Sequence, residues 1–370
     1  SFRAIVFTDD WLIFFIAWEL VTVTTAIMII WSDRGLAGQY FILQFIGSSI
    51  LLYVIVLANK HGYTEIGYIK ETWLQNLFII GFAMKSAVFG FHFWVPHIYS
   101  QTSVVFNAIS SGWVVKLGYI MLLKIIPEDN QLLIILGLLM VFYGGIKALL
   151  ASDYKVLLGY SSISQLGFIA IGIGSGSVYG YLGSIVHIMA HALAKTGLFL
   201  GCGNLIKEYG IRSIYKFNNM FQRQKVTALS ILFAFASLMG VPLLAGFNSK
   251  YLIKYGFKNS WLLTLILYAA SLITVLYSLR FLYWGIFRDF LIFRKKREDI
   301  SSEYDLLKVE LLVLAVITFF ILAIGIRAEY IIDFIRDKDL NFGYLKGLLE
   351  FVLLLLVSTI ILIRKDWYRT

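Results

Sequence analysis

The chain has 370 residues, of which 59% are hydrophobic and only 15% charged, with mean hydropathy +0.81. A soluble domain is about one-quarter charged, so an ordinary water-soluble globule is excluded. A single cysteine, Cys202, rules out an internal disulfide, a four-cysteine zinc site and an iron–sulfur cluster held by this chain alone. The formal charge of +10 fits basic loops on the cytoplasmic side of a membrane protein better than a nucleic-acid partner.

The apolar residues come in runs near the length that crosses about 30 Å of hydrocarbon as a helix. They do not alternate with period two, as a β-barrel would require. We therefore read an all-α, polytopic fold of about eleven spans. In chain order these are 11–31, 39–58, 74–95, 103–126, 131–150, 156–174, 179–205, 226–256, 259–287, 309–326 and 346–363. The first run is already a full span, so no cleavable signal peptide is read. Because the chain begins with Ser1 and enters that span almost at once, we expect an N-terminal part to be missing. Most connections are short, Pro127 lying in one of them; three, 59–73, 206–225 and 288–308, are longer. The last is either a surface-lying amphipathic segment or a solvated basic loop. Basic residues set the orientation. Arg34, Lys155 and the clusters within 207–225, 288–308 and 364–369 outweigh those on the other side, which include Arg3, Lys60, Lys70 and Lys258. The first group marks the cytoplasmic side, which puts the N-terminus outside.

Charges inside the spans carry the functional signal, because each is costly in hydrocarbon unless paired or hydrated. Glu19 in the first span predicts a cationic partner, and Lys85 in the third is the candidate. Such a pair is either a static tie between helices or one whose opening changes the lysine's hold on a proton. The third span then meets Gly90 and Pro96, near its expected end. Lys116 sits at mid-span, too far from either end to snorkel, whereas Lys124 and Lys147 are close enough to do so. The run Tyr160-Ser161-Ser162-Ile163-Ser164-Gln165 either holds water or joins helices.

In the seventh span, His187, His191 and Lys195 recur every four residues, so they share one helix face about 6 Å apart along the axis. No zinc-protease glutamate stands between the histidines and no further ligand completes a metal shell, so no metal or other cofactor is expected. Histidine beside lysine within a membrane suits proton relay; hydrogen bonding between helices is the other reading. Gly240, Pro242 and Gly246 then interrupt the eighth apolar run. Membrane helices tolerate such a break only where the freed carbonyls meet protein or water. Lys250 follows it, either ending an internal path near the external side or snorkelling to that side. Discontinuous helices at ion sites are a recurring transporter device. His92 and His97 read as interfacial, and Gly172–Gly176 closes a membrane helix without the strand a nucleotide site needs.

These strings, in this order, resemble the antiporter-like proton-translocating family: FFIAWEL at 14–20, AMKSAVFGFHFWVPHIY at 83–99, VVKLGY at 114–119, SDYKVLLGYSSISQLGF at 152–168, HIMAHALAKTGLFLGCG at 187–203 and GVPLLAGFNSKYLI at 240–253. That family contains the large membrane subunits of NADH–quinone oxidoreductase, the main subunits of Mrp antiporters and their counterparts in membrane-bound hydrogenases. The resemblance implies inverted repeats, each with a broken helix, and a channel domain over 1–287. The first repeat is partial, at 1–126, and lacks its opening helix; the second covers 131–287. Residues 288–370 follow as a basic connector with C-terminal spans. It also implies a Glu19–Lys85 pair, a central Lys116, His187 and His191 as relays, and Lys250 as exit. Relatives often carry a proline soon after the third-span lysine, where this chain has Val88-Phe89-Gly90, and some have glutamate at the position of Lys250. The expected function is proton or cation translocation within a larger redox-driven membrane complex, with other membrane subunits as partners, in a prokaryotic cell membrane. An Mrp-type sodium/proton antiporter subunit and a structural membrane scaffold are the alternatives.

Overall fold

Helices begin where a short polar side chain replaces the acceptors that the first backbone N–H groups lack. In the computed structural model, which describes residues 8–126, 128–217, 220–288 and 308–333, Asp10 accepts from Leu12 N at 2.7 Å and Ile13 N at 2.9 Å and so opens α1, Trp11–Ile30. Asp33 opens α2, Arg34–Lys60, by accepting from Leu36 N at 2.7 Å. Next come α3 (Thr72–Ala83), α4 (Trp94–Gln101), α5 (Val104–Gly112, capped by Ser103) and α6 (Leu117–Ile125). Asn130 caps α7, Gln131–Leu150, and Asp153 caps α8, Tyr154–Gly174. The longest helix, α9, spans Val178–Tyr209 and ends on Gly210 in the left-handed conformation that glycine adopts without strain. The series closes with α10 (Lys225–Met239), α11 (Ala245–Tyr255), α12 (Trp261–Leu282, continued by a π-helical turn at Tyr283–Phe287) and α13 (Lys308–Asp333).

Among the described residues, seven stretches are long and apolar enough to cross a membrane, and three further apolar helices are shorter. Three of the expected spans are divided, two of them at the breaks expected near Pro96 and Pro242 and the third, 103–126, at a point that no proline marks. The expected 74–95 is α3, an irregular stretch from Met84 to Phe93, and then α4; the expected 226–256 is α10, a break at Gly240–Leu244, and α11. The expected 103–126 is α5 and α6 joined through a 3₁₀ turn at Val114–Lys116. Ala87, Gly90, Gly240 and Leu243 have positive φ in the first two breaks. Pro96 lies just beyond its break, in the first turn of α4, where the missing N–H costs no helical bond. Gly246 lies within α11, where a Cβ would fall onto the Ser237 carbonyl. The expected span 346–363, Pro127 and all but the ends of the connector 288–308 lie outside the described residues.

α8 is the axis of the bundle. Its most apolar window is 89% buried, against 39% for α2, α7 and α12, whose outer faces carry exposed apolar residues such as Ile42, Phe45, Ile135 and Leu262. α8 comes this close to α7 because glycine lies at the crossing: a Cβ on Gly144 would strike the Ser164 nitrogen and the Tyr160 carbonyl. Overpacking of this kind costs about 1–3 kcal/mol, so Gly144→Val is expected to lower the melting temperature of the detergent-solubilised protein. Gly38→Ala on the open face of α2, where nothing lies within 4 Å, is expected to leave the melting temperature unchanged or raise it.

Candidate functional site

Among the described residues five lysines are buried: Lys85, Lys116, Lys155, Lys195 and Lys250. An ammonium has three donors and needs acceptors around all of them. Here the acceptors are main-chain carbonyls and hydroxyls. Lys85, just past the end of α3, donates to Trp18 O at 2.8 Å and Thr22 Oγ1 at 2.7 Å on α1, with the Trp18 ring 4.0 Å away. Lys116 donates to Gly112 O at 2.8 Å and to Ser111 O. Those carbonyls end α5, where Trp113 leaves helical geometry (φ −131°, ψ −50°) and frees them. Lys195 donates to Leu158 O at 2.9 Å and Ser161 Oγ at 2.6 Å on α8. Lys250 donates across its own break to Leu238 O at 2.6 Å and lies 4.6 Å from the Phe168 ring.

The interrupted helices therefore serve as cation sites: the last turn of α5 and the last turn of α10 each offer carbonyls to a lysine that follows in sequence. Glu19, next to Trp18, forms no ion pair with Lys85, and its Oε1 is buried without a partner. Glu19 instead adjoins Trp18, whose carbonyl holds the Lys85 ammonium.

From Lys116 a line of polar groups crosses the core. The Ser111 hydroxyl meets that of Ser162 on α8 at 2.8 Å, and neighbouring Ser161 holds Lys195. His191 lies one turn before Lys195 on α9, and His187 one turn further on. The two imidazoles are parallel, with interplanar angle 7° and centroids 6.2 Å apart. His187 Nδ1 is 2.8 Å from Ser249 Oγ, and Ser249 precedes Lys250. Toward the other end, Gly118 leaves room for Ser86, the residue after Lys85, since a Cβ there would fall onto the Ser86 hydroxyl.

Several groups along this line have no protein partner: Ser86 Oγ, Gln165 Oε1, His187 Nε2 and both ring nitrogens of His191. Buried polar atoms are rarely left unbonded, and polar interiors take up water to satisfy them. Two imidazoles 6.2 Å apart are too far for a direct proton hop but suit one bridging water.

Of the other candidates, His92 packs between Phe89 and Tyr143 and accepts from Gly90 N at 3.2 Å, while His97 is exposed beside Gln101. Lys124 pairs with Asp9 at 3.3 Å at the end of the bundle where α1 begins, and Lys147 lies 5.9 Å from the Tyr143 ring. Neither joins the line. Lys155, which the sequence places among the cytoplasmic loop residues, instead turns inward to Thr102 O at 2.7 Å. Its fold position depends on a partner more than fifty residues away, a contact that no local pattern announces.

Residues 8–274 match the family model described as NADH:quinone oxidoreductase/Mrp antiporter, transmembrane. The chain is 29% identical to a Staphylococcus aureus protein named as antiporter subunit mnhA2, over 99% of this chain and 54% of that protein. It thus spans about half the length of the curated relatives it matches. In fold it is similar to a chain of the Mrp complex from Dietzia sp. DQ12-45-1b, with TM-score 0.80 and 23% identity over 96% of this chain and 43% of that one. It is also similar to a chain of the membrane-bound sulfane sulfur reductase, an archaeal respiratory membrane complex. That match has TM-score 0.74 and 26% identity, over 86% of this chain and 57% of the other.

Proposed function

This chain belongs to the NADH:quinone oxidoreductase/Mrp antiporter transmembrane family, and from that premise we propose that it carries protons across a membrane as one subunit of a larger, redox-driven membrane complex. It is a multi-pass integral membrane protein. The observation that carries the reading is the buried line Lys116–Ser111–Ser162–Ser161–Lys195–His191–His187–Ser249–Lys250, in which the ammonium groups rest on neutral oxygens. A scaffold would gain most by pairing buried charges with each other; an unpaired buried charge is expensive and has to be maintained by a role. Lysine and histidine between carbonyls and water can give up a proton and take another without breaking an ion pair. Neighbouring like charges repel, so a proton arriving at one site favours departure from the next.

In this reading Glu19 and Lys85 set the loading of the line from the α1–α3 side, and Lys250 releases at the α10–α11 break. The channel domain takes in the described residues up to Phe287. Redox chemistry in partner subunits supplies the driving force, the membrane is a prokaryotic cell membrane, and the N-terminus faces outward. Glu19→Gln is expected to reduce proton flux about tenfold, as the loss of a charge interaction of ~1.4 kcal/mol would, while the complex still assembles. A static tie would instead give poor assembly for either single charge removal, with recovery when both are removed.

A second reading, a main subunit of an Mrp-type sodium/proton antiporter, is favoured by the antiporter relative and by the TM-score of 0.80 to a chain of an Mrp complex. Co-purification and flux measurements separate the two. Quinone-reductase or hydrogenase subunits retained with the chain support the redox-driven reading. Proton flux that appears only with a sodium gradient, and without redox subunits, supports the antiporter.

A further inference from the structure

Resting on that reading, we propose that Gln44 and Ser48 of α2 hold water against Lys85, and that this lysine exchanges its proton through it. Both residues are buried, at 1% and 2% exposure. Neither Gln44 Nε2, Gln44 Oε1 nor Ser48 Oγ has a protein partner. Other buried side-chain amides differ: Gln75 donates to Ile69 O, Asn107 to Tyr99 O and Gln165 to Tyr277 OH. A hydrogen-bonding group left bare inside a protein is costly, and in a membrane-embedded bundle no bulk solvent compensates.

The register of the helices places these groups beside Lys85. Tyr40 OH lies 3.1 Å from Thr25 Oγ1, which aligns α2 with α1. The two helices run in opposite directions, so stepping from Tyr40 to Gln44 and Ser48 moves back along α1 from Thr25 toward Thr22 and Trp18. Those are the residues that hold the Lys85 ammonium. From the other side, Gly47 abuts Met84 so closely that a Cβ would strike it, and Leu51 abuts Gly81. The polar step of α2 is thereby wedged between the α1 anchor of Lys85 and the residue preceding Lys85. Ser86 Oγ and Glu19 Oε1, flanking the same ammonium in sequence and across the helix, are also buried without partners.

Bare donors and acceptors on three elements around one cation are what a small water cluster satisfies, each water making two to four bonds. The ammonium passes a proton to a held water and recovers one from it; only N–H and O–H bonds change. Gln44 is a positioning residue in this scheme, since it holds the water and takes no proton itself.

The test uses the chain together with the subunits that co-purify, reconstituted into liposomes. Gln44→Met keeps the length of the side chain and removes both polar atoms. Flux is expected to fall about tenfold, the scale seen when a group that orients a functional one is lost, with assembly and melting temperature maintained. Gln44→Asn, which keeps an amide, is expected to recover most of the flux. Full flux in Gln44→Met together with a raised melting temperature would show a dry, idle amide and overturn the proposal. Should Gln44→Met not assemble, Ser48→Ala decides in the same way: reduced flux supports the water, full flux overturns it. Lys85→Met separates this inference from the reading beneath it. Full flux there would end the role of Lys85 in the relay itself, whereas a stalled Lys85→Met beside a fully active Gln44→Met defeats only the water.

Discussion

Proton flux through the reconstituted complex is expected to fall about a hundredfold or more when Lys116 is replaced by methionine, the scale associated with losing a group that transfers protons. Lys116 is fully buried, and its ammonium rests on Ser111 O and Gly112 O at the 3₁₀ interruption between α5 and α6. It is the group from which the line of serines leads to Lys195. Methionine has nearly the same length and no proton to give. Two carbonyls lose a donor in the exchange, at a cost of about 1–3 kcal/mol each, but a buried charge is removed as well. The two effects oppose each other, so the complex is expected to assemble. Lys116→Arg distinguishes charge from titration. A guanidinium keeps the positive charge and the donors toward the carbonyls but does not release its proton in a protein, so this variant is expected to stall too. A purely structural role would predict near-normal flux for arginine.

His191→Leu is expected to produce a loss of similar order, about a hundredfold. His191 is fully buried, stacks in parallel with His187 and has no protein partner on either ring nitrogen. A histidine kept only for packing would tolerate leucine, and the melting temperature would then rise because two bare polar atoms disappear from the interior. In the relay, leucine removes the sole titratable stop between Lys195 and His187 on that face of α9, and a gap of two helical turns is too wide for one water. Ser249→Ala is expected to have a smaller effect, since water can replace a hydroxyl at His187 Nδ1. His92→Leu is expected to leave flux unchanged, because His92 packs against Phe89 and Tyr143 away from the line. The measurement is the initial rate of pH change inside liposomes at equal amounts of assembled complex.

Much of this fold is legible in the sequence for one reason: hydrocarbon tolerates few departures from apolar helix, so each departure stands out. The helices, Lys116, the His187–His191–Lys195 face and the break at Gly240–Leu244 are visible as such departures. What the sequence hides is the identity of the partners. Lys85 was expected to meet a carboxylate at Glu19, yet its direct acceptors are the Trp18 carbonyl and the Thr22 hydroxyl, one residue before Glu19 and one turn after Trp18. Main-chain carbonyls are present at every residue, and only tertiary packing decides which of them is freed. The interruption at Trp113 has the same character: no proline marks it, and the turn follows from how α5 and α6 pack against α9 and the Ser86 loop. Gln44 and Ser48 pass unnoticed because single polar residues are common in spans that pack against other helices. Lys155 counts as a basic loop residue until Thr102 is seen to accept from it.

The central claim is that a hydrated, titratable line joins Lys116 to Lys250. A cryo-electron microscopy map of the assembled complex, at a resolution that shows ordered water, tests it most directly. The account predicts water density on both ring nitrogens of His191, a water between the His187 and His191 rings, and further water bridging His191 to Lys195. Aliphatic side chains packed against the His191 nitrogens, with a dry layer separating Lys195 from His187, would contradict it.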